Sequence, residues 1–201
     1  MIKIRETNHM EYQEGMEHID HSIMNKVLEM TDRYDYSKYT AWDVRNVLSK
    51  DSIDINDLAV LLSPAAEPML EQMAQRAKAE TAKHFGNTVC MFTPLYIANY
   101  CENYCVYCGF NCSNKIKRGK LTMDEIEAEY KTISETGLRE ILLLTGESKT
   151  ASPVEYIADA VRLAKKYFST IGIEVYPMNS DEYALIKEAG ADFVSVYQET
   201  Y

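Results

Sequence analysis

The 201 residues carry 21 lysines and arginines against 31 acids, a formal net charge of -10, with 46% hydrophobic and 26% charged residues. This is the composition of a folded soluble protein. It argues against disorder and against nucleic acid as a partner, because phosphate binding needs a basic patch and the basic residues here are interleaved with acids. No apolar run approaches the roughly 20 residues of a membrane-spanning helix, and the first ten residues lack the apolar core of a signal peptide. The expectation is no membrane association and a cytoplasmic, reducing environment.

Residues 1–85 read as a helical N-terminal extension. Helices are expected over Met16–Tyr34, over Ala41–Leu48 behind a Thr40 cap, over Leu58–Leu62, and over Pro64–His84 with Ser63 as N-cap and Pro64 at the first helical position. After Gly86 the period changes. Residues 86–201 alternate β-type runs, at Met91–Ile97, Glu140–Leu144, Gly172–Tyr176 and Asp192–Val196, with three helices. The capping box Thr122-Met-Asp-Glu125 opens the first helix, which stops at Gly137; Ser152-Pro-Val-Glu155 opens the second; Ser180 caps the third, which stops at Gly190. The fold class is therefore α/β with a parallel sheet, since parallel neighbours need a crossover and the crossover is a helix. Unusual residues follow each strand: the cysteines, then Thr145-Gly-Glu147, then Pro177-Met-Asn179, then Tyr197–Tyr201. In such sheets these loops share one face, where function gathers.

Cys101, Cys105, Cys108 and Cys112 fall within twelve residues, whereas Cys90 stands apart and reads as a buried strand neighbour. Clustering of this kind in a reducing compartment signals metal. The spacing Cys101-x3-Cys105-x2-Cys108 places three thiolates on one tight loop. That suits three corners of a 4Fe-4S cubane and leaves the fourth iron open to a chelating amine and carboxylate such as those of S-adenosylmethionine. Cys112 extends the run, so a four-thiolate zinc site or an electron-transfer cluster is the alternative. Ser113 stands where a ferredoxin run has proline, and zinc ligands usually come as two separated pairs. The basic run Lys115-Ile-Lys-Arg118 reads either as a solvated loop or as an anion-binding element. His9, His18, His21 and His84 show no ligand spacing and read as surface residues.

Cys101-Glu-Asn-Tyr-Cys105-Val-Tyr-Cys108 resembles the signature of the radical S-adenosylmethionine superfamily, with Tyr107 as the aromatic residue before the last cysteine, and Thr145-Gly-Glu147 resembles that family's Gly-Gly-Glu motif. The resemblance implies a partial (β/α) TIM barrel, a 4Fe-4S cluster on Cys101, Cys105 and Cys108, and S-adenosyl-L-methionine held by Tyr107, Thr145, Gly146 and Glu147. Pro94–Cys101, Tyr107–Phe110, Ser113–Arg118, Leu142–Glu147 and Val196–Tyr201 are together similar to the 2-iminoacetate synthase family, the tyrosine lyases of thiamine biosynthesis. That likeness implies cleavage of the Cα–Cβ bond of L-tyrosine to 2-iminoacetate and p-cresol, with Gln198 and Glu199 on the substrate side. It also implies thiazole synthase as a partner and a low-potential electron donor such as flavodoxin or ferredoxin. The alternatives are the tyrosine lyase of iron-only hydrogenase maturation and a non-catalytic iron–sulfur protein. Because this superfamily closes six or more strands and four are legible, the expectation is a barrel cut after its fourth strand, impaired in turnover by itself.

Overall fold

In the computed structural model, which describes residues 14–196, the chain divides into two compact units. One is Ile19–Val89. The other runs from Cys90 onward and includes the short segment ending at His18.

The first unit is helical: α1 (Ser22–Arg33), α2 (Ala41–Ser49), α3 (Ile55–Leu61) and α4 (Leu70–Phe85). Thr40 caps α2 in a reciprocal box with Asp43, as its sequence predicts. Three other helices differ from expectation, each for a local reason. α1 starts at Ser22, not Met16, behind a turn in which Asp20 accepts from the Ser22 amide at 2.9 Å and its hydroxyl at 2.5 Å. α3 starts three residues early because Asp54 accepts from the amides of Asn56 and Asp57, while Asp57 reaches back to the Asp54 amide. Pro64–Met69 forms a 3₁₀ helix rather than the first turns of α4, since Pro68 has no N–H to donate. Ser63 does not cap it; its hydroxyl donates to Val60 O at 2.7 Å. The core of this unit is Val44, Val47, Val60, Ala66 and Met69.

The second unit is a four-stranded parallel sheet in the order β1-β2-β3-β4: β1 (Phe92–Ala98), β2 (Glu140–Thr145), β3 (Thr170–Glu174) and β4 (Phe193–Val194). The crossovers are α5 (Met123–Glu135), α6 (Val154–Ala164) and α7 (Ser180–Ala189). Ile97, Ile141, Leu143, Ile171 and Ile173 form one face of the sheet and share a core with Ile126 and Tyr130 of α5, Ile157 and Val161 of α6, and Ile186 of α7. All three helices therefore cover the same face, the single winding of a (β/α) barrel wall. The opposite face carries Pro94, Leu142, Gly172 and Phe193 in one cross-strand row. Gly172 leaves room there for the Phe193 ring, which a side chain at 172 would displace.

Several boundaries shift. β3 ends at Glu174 rather than Tyr176, whose hydroxyl instead donates to Ser152 O at 2.6 Å, drawing the chain beyond the strand onto the β2–α6 loop. Pro153, not Ser152, is the N-cap of α6, and the buried Ser152 hydroxyl has no hydrogen-bond partner among the described residues. Asn179, not Ser180, is the N-cap of α7, with the Glu182 carboxylate accepting from its amide at 2.8 Å. The Asn179 side chain clasps the Gly15–Glu17 segment, and Glu17 accepts from the Ser180 amide and hydroxyl. β4 covers Phe193–Val194 only, and Cys90 is exposed, not buried. Among the described residues no helix is long and apolar enough to cross a membrane.

In the helical unit the Asp57 carboxylate is 6% exposed, bonded to Lys50 Nζ at 2.5 Å and to the Asp54 amide at 3.1 Å. The Lys50 hydrogen bond, then the Asp54 amide, hold it below the usual carboxylate range. A lowered value stabilises the fold above the ordinary aspartate range and ceases to do so as pH falls through the lowered value. Asp57→Asn should therefore melt at a lower temperature than the parent at neutral pH, and the gap should close as the pH drops below ~4. Thermal unfolding of both proteins across that range measures it.

Candidate metal and cofactor site

The parallel register puts the ends of β1 and β2 side by side, so the cysteine loop and Thr145-Gly-Glu147 meet. The Gly146 amide donates to Ala98 O at 3.1 Å, and the Glu102 amide donates to Glu147 O at 3.0 Å. A methyl group at position 146 would collide with the Tyr100 carbonyl, so only glycine permits this approach. Asn103 Nδ2 then donates to the Glu147 carboxylate at 2.6 Å, and Ser148 Oγ to the Glu102 carboxylate at 2.7 Å. Two backbone and two side-chain bonds thus stitch the loop to the strand end.

Within the loop the Cys108 amide donates to Cys105 O at 3.1 Å, and Asn111 Nδ2 donates to the same carbonyl at 2.7 Å. Asn111 is buried; its Oδ1 accepts from the amide and hydroxyl of Ser113. Asn114 Nδ2 reaches the carbonyls of Cys108 and Gly109 at 3.2 Å. Arg118, partly buried, donates to the carbonyls of Asn99, Phe110 and Asn111 at 2.6, 2.8 and 2.8 Å, so three of its N–H groups are committed to the backbone of this loop. These asparagines and the arginine were not singled out as site residues from sequence. The asparagine- and serine-rich stretch Asn111-Cys-Ser-Asn114 was the available signal, since such side chains bond nearby backbone in turns.

Cys101, Cys105 and Cys108 are free, partly exposed thiols. Burial, then the neighbouring Cys101, Cys108 and Glu147, push the Cys105 thiol above its usual value. Cys101, Cys108 and Glu147 therefore lie close enough to Cys105 to oppose its ionisation, and a bound cationic centre would offset that opposition. Among the described residues no three His, Cys, Asp or Glu side chains are arranged to hold one metal ion. A single ion needs every ligand within about 2.3 Å of one point. A cubane instead offers a different iron to each thiolate, so three thiols on one loop are a donor set such a cluster can use.

Glu147 is exposed at the strand end, and Tyr107 is 54% exposed on the cysteine loop. Thr145 belongs to the row that faces the helices, and among the described residues its buried hydroxyl has no hydrogen-bond partner; the Gly146 amide is bonded to Ala98 O and its carbonyl accepts from the Ser148 amide. Cys112 lines a cleft of about 460 Å³ together with Cys101, Glu102, Arg118, Ser148 and Thr150. Gln198 and Glu199 lie outside the described residues. Gly146→Ala should cost about 1 to 3 kcal/mol, because the collision is with backbone that cannot rotate away. A fall of at least a few degrees in melting temperature is the expected readout.

Residues 95–201 match the family model described as the radical SAM superfamily. The chain is 44% identical over 162 residues to 2-iminoacetate synthase of Escherichia coli (strain K12), covering 81% of this chain and 43% of that protein. It is 35% identical over 150 residues to 3-methylornithine synthase of Methanosarcina barkeri (strain Fusaro / DSM 804), covering 73% and 42%. The crystal structure of HydG, a maturase of the [FeFe]-hydrogenase, superposes with a TM-score of 0.79 at 28% identity, over 88% of this chain and 41% of that one. The chain thus spans about two fifths of the length of the relatives it matches. With the motif-bearing half matched, the parallel sheet wound by helices on one face, and the cysteine loop docked on Gly146-Glu147, this chain belongs to the radical SAM superfamily.

Proposed function

We propose that the protein is a radical S-adenosylmethionine carbon–carbon lyase that cleaves the Cα–Cβ bond of L-tyrosine to 2-iminoacetate and p-cresol, with 5′-deoxyadenosine and methionine as co-products. The observation that carries the cofactor part is the convergence of Cys101, Cys108 and Glu147 on Cys105 at the joined ends of β1 and β2. Support for the substrate comes from the 44% identity to 2-iminoacetate synthase.

In this reading Cys101, Cys105 and Cys108 each hold one iron of a 4Fe-4S cluster. Bound together, the cluster and S-adenosyl-L-methionine supply one-electron cleavage of a carbon–sulfur bond and so a carbon radical able to remove a hydrogen atom from the substrate. The Glu147 carboxylate, aimed by Asn103, takes the ammonium of the methionyl group through a charge-assisted bond. The main chain of Thr145 and Gly146 and the ring of Tyr107 complete that pocket, with Gln198 and Glu199 on the substrate side. A thiazole synthase would consume the 2-iminoacetate, and a flavodoxin or ferredoxin would supply the electron.

Cys112 shares a cleft with Cys101, which favours a second reading in which all four cysteines bind metal without S-adenosylmethionine. Anaerobic reconstitution decides between them. Alanine at Cys101, Cys105 or Cys108 should each abolish a cluster of about four irons, and Cys112→Ala should leave it intact. Loss of metal in Cys112→Ala, with zinc in the purified protein, would overturn the three-ligand centre.

For the reaction, the gene product that contains these residues should release p-cresol and 5′-deoxyadenosine from L-tyrosine, S-adenosylmethionine and a low-potential reductant. Its two-carbon product should be trapped as glyoxylate after hydrolysis. Carbon monoxide and cyanide among the products would move the assignment to the hydrogenase-maturing lyase, the kind whose structure superposes here. No p-cresol at all would remove tyrosine as the substrate.

A further inference from the structure

We infer that Arg118 is a positioning residue for the three cysteines, setting the shape of their loop through main-chain carbonyls at both of its ends. This rests on the cluster reading above.

Arg118 stands ten residues beyond Cys108 and outside the cysteine motif. Its Nη1 donates to Asn99 O at 2.6 Å, just before Cys101, and to Phe110 O at 2.8 Å, just after Cys108; its Nη2 donates to Asn111 O at 2.8 Å. One guanidinium therefore closes the neck of the loop between residues 99 and 111. A relay leads from there to the thiols, because Asn111 Nδ2 bonds Cys105 O, the carbonyl that also accepts from the Cys108 amide.

Arg118 is itself held in place. Asn99 brackets the chain on either side of it: its Nδ2 donates to Lys117 O at 3.0 Å, its Oδ1 accepts from the Gly119 amide at 2.7 Å, and its own amide donates to Gly119 O at 3.1 Å. The planar fork of arginine can aim donors at three carbonyls in one plane, whereas the single ammonium of lysine cannot reproduce that pattern. The loop otherwise contains no regular secondary structure between Ala98 and Lys120, so its conformation depends on such bonds. A metal ligand loop misplaced by its outer partners binds metal less tightly, typically by about ten- to a hundredfold.

The test compares wild type, Arg118→Ala and Arg118→Lys after anaerobic reconstitution with iron and sulfide. A chelator is titrated into each protein, and electron paramagnetic resonance is recorded on the reduced samples. Both variants should lose half their iron at a chelator concentration about tenfold lower than wild type and show a broadened or altered spectrum. Added guanidinium ion should restore loading in Arg118→Ala and leave Arg118→Lys unchanged. Circular dichroism of the apo-proteins checks folding; if Arg118→Ala does not fold, Arg118→Lys alone decides. Wild-type retention and an unaltered spectrum in a folded Arg118→Lys would overturn the inference, as would guanidinium failing to act on a folded Arg118→Ala. Failure of the wild-type protein itself to take up iron would instead overturn the cluster reading.

Discussion

The bond from the Gly146 amide to the Ala98 carbonyl, at 3.1 Å, is the constraint on which the rest of the site depends. It continues the β1–β2 ladder one step past the strand end, and it forms only because position 146 has no side chain to strike the Tyr100 carbonyl. Once the backbones are that close, Glu102 and Glu147 can pair through main chain, Asn103 can reach the Glu147 carboxylate, and Ser148 can reach Glu102. The three thiols are thereby placed beside an acid from a different strand. Remove the close approach and each of those four bonds loses its geometry together.

The electrostatics of the site follow from the same placement. Burial first, and then the neighbouring Cys101, Cys108 and Glu147, raise the Cys105 thiol above its usual value. Two cations of this region have other contacts: the Arg118 guanidinium bonds three carbonyls, and Lys120 lies over the Tyr156 ring at 4.0 Å. The polar wiring of the cysteine loop is also costly to disturb, since a carbonyl left without its donor in a partly buried loop loses more than the bond contributes.

The sheet explains why the site sits where it does. β2 is buried along nearly its whole length, as a strand flanked on both sides in a parallel sheet must be. Its helix-facing row, Ile141 and Leu143, packs on α5 and α6, while Leu142 faces the Phe193–Gly172 side. With every crossover helix on one face, the strand ends and their loops are free to project at one edge. HydG superposes over 88% of the chain despite 28% identity, because this arrangement of layers tolerates most substitutions that preserve the alternating apolar rows.

Local chemistry accounts for what was legible in the residues alone. The strand–helix alternation, the Thr40 and Thr122 boxes, the stops at Gly137 and Gly190, and the three-cysteine spacing all depend on neighbours within a few positions, and all of them can be read along the chain. Residues whose partners are distant in sequence carry no such local signal. Ser152, Ser180 and Tyr176 were assigned from local pattern, yet Tyr176 bonds to the β2–α6 loop, Ser180 bonds to Glu17, and Ser152 is sealed in the core. Lys115–Arg118 reads equally as a solvated loop or an anion-binding run, because nothing in it announces three carbonyls up to nineteen residues away. The class of elements, their order and the cysteine spacing are legible along the chain because each rests on local pattern. The contacts themselves, Gly146 against the Tyr100 carbonyl, Asn103 on the Glu147 carboxylate and Arg118 across the loop neck, come from the packed fold, because hydrogen bonds between remote segments exist only after the backbone has been brought within about 3 Å.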